Sequence, residues 1–143
     1  MNKKIMTLML TLSLGMTALL GATLTIEVSN VTSEEGKLYV GLYSKNQEFA
    51  NVEGAFLKKI VDPISKTGAI EVVFDEVEEG EYALAIFHDR NSNDTLDKNF
   101  IGFPKEPFAF SNNFKPTFSK PEFEDCSFVL EKEGKSLSLV LID

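Results

Sequence analysis

The amino-acid sequence predicts an all-β fold, an antiparallel β-sandwich of about seven short strands with one long ordered loop. Three observations predict it. Apolar residues alternate with period two in short runs, as in Thr23-Leu24-Thr25-Ile26-Glu27-Val28. Turn signals rich in Gly, Asp and Pro separate those runs. No segment carries the 3.6-residue spacing of an amphipathic helix. The 143 residues suffice for one domain with a core that needs no disulfide or metal staple.

Residues 1–22 stand apart from this pattern. Lys3 and Lys4 precede an apolar run from Ile5 to Leu20, followed by Gly21 and Ala22, and no acid occurs among them. A basic head, a short apolar stretch and small residues read as a cleaved secretory signal, with cleavage after Gly21 or Ala22 and the domain occupying 23–143. A retained anchor is the alternative, but the run is short and interrupted by Thr7, Thr11, Ser13, Gly15 and Thr17. With no Cys near the junction, a lipid-modified N-terminus is not indicated. The expected address is periplasmic or extracellular.

The strands follow in order. The first, 23–28, puts Leu24, Ile26 and Val28 on one face. Ser33-Glu34-Glu35-Gly36 is a polar turn before a second strand at 37–43, and residues 44–56 are irregular with room for one helical turn. A third strand, 56–61, stops at Asp62-Pro63, and a fourth covers 69–74. A turn at Asp75–Gly80 leads into 81–87, and the last two strands, 127–131 and 136–142, are joined by Lys132-Glu133-Gly134-Lys135. The run Val77-Glu78-Glu79-Gly80-Glu81-Tyr82, a Gly turn before a strand opening with Tyr, resembles the matching turn of transthyretin-like and carboxypeptidase-regulatory-like sandwiches.

Residues 88–125 break the rhythm. Connections longer than roughly 12–15 residues are usually functional or disordered. Phe100, Phe103, Phe108, Phe110, Phe114, Phe118, Phe123 and Phe128 lie in or just after this stretch, with Pro104, Pro107, Pro116 and Pro121. The prolines block regular pairing while the rings bury large area, so the expectation is an ordered excursion packed across the sandwich. Its rings either close the core or form an aromatic ligand surface.

The excursion opens with Asp89, Asn91, Asn93, Thr95 and Asp97 at relative positions 1, 3, 5, 7 and 9. That is the order in which a calcium loop offers oxygens, with the backbone carbonyl at position 7. Position 6, normally Gly because the turn needs a left-handed backbone, is Asp94, and position 12, normally a bidentate Glu, is Phe100. Arg90 and Lys98 offset most of the acidic charge, so a Ca²⁺ site here belongs to the weak extracellular class, roughly 10⁻⁴–10⁻³ M. The competing reading is a loop of Asx turns in which Asp and Asn satisfy their own backbone. His88 and Asp89 point to opposite faces of a strand, which argues for a structural His and against an acid–base pair.

Composition narrows the function classes. There are 14 Lys+Arg against 22 Asp+Glu, a net charge of −8. Loss of Lys3 and Lys4 leaves 12 bases against 22 acids, net −10. This disfavours nucleic acid as a partner and, on net charge, docking on anionic lipid. One Cys and one His exclude a disulfide framework, a multi-cysteine metal site and a two-histidine mechanism. Cys126 lies in a strand-like stretch and reads as a small buried hydrophobe.

Phe87-His88-Asp89, Asn91-x-Asn93, Leu96-Asp97, Asn99, Gly102-Phe103-Pro104, Glu106 and Phe108-Ala109-Phe110-Ser111-Asn112-Asn113 together resemble a secreted bacterial family, domain of unknown function 2141. Phe118, Pro121, Phe123-Glu124-Asp125 and Phe128 continue the match. The resemblance implies an exported immunoglobulin- or transthyretin-like β-sandwich and no activity. Its motif has Gly where this chain has Asp94, which weakens the metal reading. Ser111-Asn112-Asn113 reads as a turn or as a polar lip beside the loop.

The expectation is therefore a non-enzymatic exported module that binds an unidentified protein or small ligand. It is a monomer with no membrane span after signal cleavage, carrying at most weakly bound Ca²⁺ at 89–97 and no other cofactor. The alternatives are a purely structural envelope domain without metal and, third, a hydrolase using His88 and nearby carboxylates.

Overall fold

The computed structural model describes residues 21–62 and 64–143. The expected signal segment falls largely outside the described residues, and Ala22 already opens the first strand. Among the described residues no helix is long and apolar enough to cross a membrane.

The chain is mostly β, in two sheets. One holds β1 (Ala22–Val31), β4 (Gly68–Val77) and β8 (Lys135–Val140) in the order β4-β1-β8. The other holds β3 (Leu57–Val61), β2 (Lys37–Ser44), β5 (Gly80–Asp89) and β6 (Phe108–Phe110) in that order, and β7 (Phe128–Leu130) shares the β6 edge of β5. Period-two alternation dictates which side chains meet. Leu24, Ile26 and Val28 of β1 with Val72 and Phe74 of β4 form one core with Leu38, Val40 and Leu42 of β2 and Leu84 and Ile86 of β5.

All seven expected strands form, with two differences. The expected antiparallel pairing fails at one place: β8 runs parallel to β1, with Ile26 opposite Leu137 and Val28 opposite Leu139. The cause lies in the turn before it, where the Gly134 N–H donates to the Glu131 carbonyl and φ at Gly134 is +87°. A Cβ there would stand 2.6 Å from the Thr23 carbonyl oxygen. This turn carries the chain from β7 in one sheet to β8 in the other, so the two strands form no hairpin.

The second difference is β6, a strand inside the excursion. β2 and β5 are buried on both faces. Their outer face carries Tyr39, Tyr43, Ala83 and Phe87, which pack with Phe49, Phe108, Phe110, Phe123 and Cys126 of the irregular segments. The excursion thus forms a second, aromatic core on the outside of the five-stranded sheet. Not every ring joins it: Phe100 and Phe118 are fully exposed and Phe103 is partly so. A four-residue helix, α1 (Phe123–Cys126), ends the excursion with a capping box between Glu122 and Asp125.

Candidate functional site

The loop after β5 is closed by its own side chains. Asp89 is fully buried, and its carboxylate accepts the backbone N–H of Asn93 at 3.2 Å and of Asp94 at 2.8 Å. Asn91 Oδ1 accepts from Asn93 N at 3.1 Å, and Asn93 Oδ1 accepts from Thr95 N and Oγ1 at 3.0 and 2.9 Å. These are the Asx turns that short polar side chains make at such spacings. The amides of Asn91 and Asn93 converge on Asp97, donating to its carboxylate at 2.6 and 3.1 Å. Asp89 therefore sits behind the loop, while Asn91, Asn93 and Asp97 meet at its outer side with Thr95 beside them.

The departure at position 6 has a structural explanation. Asp94 adopts φ +63°, the left-handed backbone the turn requires. Its carboxylate accepts from the Tyr39 hydroxyl and, at 2.9 Å, from Lys37 Nζ, which ties the loop to β2. The Tyr39 bond, followed by that of Lys37, holds the Asp94 carboxyl below its ordinary value, and the same contact raises Lys37. Burial first, then Asp94, raises the Tyr39 phenol.

One carboxylate that spacing did not single out completes the closure. Glu106 is only 8% exposed. Its Oε1 accepts from Arg90 N and its Oε2 from Asp97 N, both at 3.0 Å, so a single side chain clamps the two ends of the loop. The available signal was an acid that, with Lys105, interrupts the apolar run Phe103–Phe110 between Pro104 and Pro107. Arg90 is fixed in turn by a bidentate pair with Asp143, 2.7 Å at the closer contact.

This donor set fits a cation only in part. Among the described residues no three His, Cys, Asp or Glu side chains cluster at metal-binding distances. Asp89, Asp94 and Glu106 are engaged with backbone N–H groups, Tyr39 and Lys37. Asn91 and Asn93 oxygens also accept loop N–H groups and the Asp97 carboxylate accepts both amides, so a cation here would share oxygens that already carry hydrogen bonds.

His88 and Asp89 do face opposite sides. His88 shares the inward face with Leu84 and Ile86, is fully buried, and donates from Nε2 to the Glu35 carbonyl at 2.7 Å. Its Nδ1 has no partner among the described residues. Cys126 is buried and burial pushes its thiol up to about 12, so it stays an uncharged apolar group at neutral pH.

Ser111, Asn112 and Asn113 do not make a lip at the loop. The β5 edge is paired by β7 at 80–82 and by β6 at 85–87, leaving the Leu84 N–H between them. Ser111 Oγ accepts that N–H at 2.8 Å and donates to the Cys126 carbonyl. Asn112 Nδ2 donates to Ser127 O at 2.9 Å, while Asn113 holds Ser138 O at 3.1 Å and Val140 N at 2.9 Å. The three side chains splice the excursion to both sheets.

A hollow lies beside the loop on the outer face of the five-stranded sheet. Register creates it. Tyr39, Phe87 and Phe108 sit opposite one another across β2, β5 and β6, with Tyr39 and Phe87 stacked at 4.7 Å. Two residues along, Gly41 lies opposite Ala85, so the next row is low on those two strands. Tyr43 bounds the far side, and Phe110, Ala50 and Leu96 also line the space, about 380 Å³. A Cβ on Gly41 would stand 2.9 Å from the Tyr43 ring. Lys58, Lys98 and Lys120 line the hollow together with Glu48, Glu53 and Asp94, and none of the three lysines is in an ion pair among the described residues. A second hollow of about 360 Å³ shares Leu96, Lys98, Phe108, Phe110 and Lys120 and runs on between residues 101–104 and 116–121.

Comparison with curated proteins and with solved structures finds no match. Residues 26–138 match the family described as an uncharacterized protein conserved in bacteria, DUF2141. That span takes in both sheets, the Asx-turn loop, the Glu106 clamp and the Ser111 splice, and the chain belongs to this family.

Proposed function

We propose that the chain is an exported, non-enzymatic binding module, an immunoglobulin- or transthyretin-like β-sandwich, that holds a small flat apolar ligand in the hollow beside Gly41 and Ala85. The observation that carries this reading is the low pair Gly41 and Ala85 set among Tyr39, Phe87, Phe108 and Phe110, which leaves a hollow walled by aromatic rings. Its volume falls in the range of small-molecule pockets, and its rim sets Lys58, Lys98 and Lys120 beside Glu48, Glu53 and Asp94, so the apolar floor supplies most of the binding. Export rests on the signal-like residues 1–22; cleavage after Gly21 leaves β1 intact. The sandwich reading rests on the single core shared by the two sheets. The non-enzymatic reading is supported by His88, which is buried on a backbone carbonyl, and by the loop carboxylates Asp89 and Glu106, which are engaged with backbone N–H groups.

The chain lacks Trp, so a fluorescent aromatic anion reads out cleanly. Titration with 1-anilinonaphthalene-8-sulfonate is expected to give saturable one-site binding to the cooperatively folded protein. Ala85→Leu, which fills the hollow, removes it, and Lys58→Glu with Lys120→Glu weakens it roughly tenfold. Absence of saturable binding would point to a purely structural domain.

The reading includes weak Ca²⁺ binding at the loop, with Asp97, Asn91, Asn93 and the Thr95 carbonyl as the oxygens that face the ion and Asp89 shaping the turn behind them. A site near 1 mM raises the melting temperature by about 5 °C at about 10 mM Ca²⁺, reversed by chelator and abolished in Asp97→Asn. An unchanged melting temperature would remove the metal from the account.

A further inference from the structure

We propose that the hollow beside Gly41 and Ala85 is one half of a longer site, and that its ligand is a flat ring carrying an unbranched apolar chain. The ring half rests on the reading above. The chain half rests on the second hollow, between residues 101–104 and 116–121. Leu96, Lys98, Phe108, Phe110 and Lys120 line both hollows, so the two adjoin and one molecule can lie across them.

The two halves differ in chemistry. Polar groups rim the first: Glu48, Asn51, Glu53, Lys58, Asp94 and Thr95. Its floor is flat, with the rings of Tyr39 and Phe87 stacked at 7° between their planes beside the low pair Gly41 and Ala85. The second is walled by Ile101, Phe103, Pro104, Pro116, Phe118 and Pro121, and no acid lines it. Its polar side chains are Thr117, Ser119 and the two shared lysines. Asp97 and Glu122 stand within two residues of those lysines, so this half selects no charge. A lysine stem lies along an apolar chain while its ammonium stays in water. Apolar surface is what the second hollow offers, and an apolar chain fits it.

Exposure and rigidity point the same way. Phe118 is fully exposed, Ile101 is 74% exposed and Phe103 is partly so, although all three line the hollow. Folding of one wall onto the other would cover them, and the backbone opposes it. Asn99 Oδ1 accepts from Ile101 N at 3.1 Å and from Phe103 N at 2.9 Å. Gly102 N donates to the Asn99 carbonyl at 2.9 Å, and Asn99 N donates to the Phe103 carbonyl at 2.8 Å. The Phe103 ring packs edge-on against Phe108, and Pro116 and Pro121 restrict the opposite wall. The hollow therefore exists before a ligand arrives, which reduces the entropy lost on binding.

The test is isothermal titration of the protein with alkyl 4-hydroxybenzoates from methyl to hexyl, each below the concentration at which it aggregates. The ring is constant and only the chain grows. Full burial of a methylene strengthens binding about fourfold, and a half-covered one in an open hollow about twofold, so affinity rises roughly 30-fold from methyl to hexyl. Ile101→Ser with Phe118→Ser, both at exposed positions, leaves the melting temperature and the methyl ester's affinity unchanged but cuts that rise to under about threefold. Amide shifts at Gly102 and Thr117 accompany the hexyl ester and not the methyl ester. Equal affinity for the two esters, or a rise that the double variant keeps, overturns the longer site and leaves the hollow beside Gly41 and Ala85 standing. Failure of the methyl ester to bind, or its equal binding to Ala85→Leu, overturns the hollow reading and the longer site with it.

Discussion

Single carboxylates set the character of the loop. Four acids near one another invite a metal reading, yet each has a different partner: Asp89 its own turn, Glu106 the two loop ends, Asp94 the hydroxyl and ammonium of β2, and Asp97 two amides. Asp94 has a pH signature. Its carboxyl is held below the ordinary 3.8, so its contribution to stability is complete above that value and is lost as pH falls through the lowered one. Asp94→Asn is therefore expected to melt below wild type at neutral pH, with the gap closing only as pH falls below the ordinary carboxyl value of 3.8. Parallel melting curves from pH 7 to pH 2 check this. A gap that persists in acid would assign the loss to the hydrogen bonds from Tyr39 and Lys37 and not to the charge, since Asn adopts φ +63° as readily as Asp.

At the scale of elements, what the sequence made legible was whatever is local. Period-two alternation located β1, β2, β4 and β5, since each buries one consistent face. The positions of Asp89, Asn91, Asn93 and Asp97 foretold an ordered polar loop for the same reason. Non-local features were not legible. The strand Phe108–Phe110 is three residues long and buried on both faces, so it shows no alternation, and Pro107 before it suggested irregular chain. The parallel pairing of β8 with β1 joins the two ends of the fold, which no local pattern encodes. The Glu106 clamp spans nine residues to Asp97 and 16 to Arg90. Glu106→Ala leaves two backbone N–H groups without that acceptor and is expected to lower stability by about 1–3 kcal/mol. A urea midpoint shift with unchanged slope is the check. Faster amide exchange confined to Arg90 and Asp97 would mark the loop ends as the place affected.

For the molecule as a whole, net charge does not locate a site, because acids are spread over both the hairpin turns and the excursion. The densest acidic run is Asp75, Glu76, Glu78, Glu79 and Glu81 around the β4–β5 turn, while the excursion carries seven acids against five bases together with the exposed rings Phe100 and Phe118. The same excursion builds the second aromatic core, roofs the outer face of the five-stranded sheet and leaves the hollow over Gly41 and Ala85 open beneath it. In that row Gly41 makes room for the Tyr43 ring and Phe110 stands on β6, so Ala85 is the position that leaves the floor low. The central claim, that this hollow is a binding site, is tested most directly by mapping ¹⁵N–¹H amide shifts during titration with the aromatic sulfonate. The account predicts saturable shifts concentrated at Gly41, Ala85, Leu96 and Phe110, and their loss in Ala85→Leu. Shifts scattered over both sheets, or none at saturating probe, would contradict it.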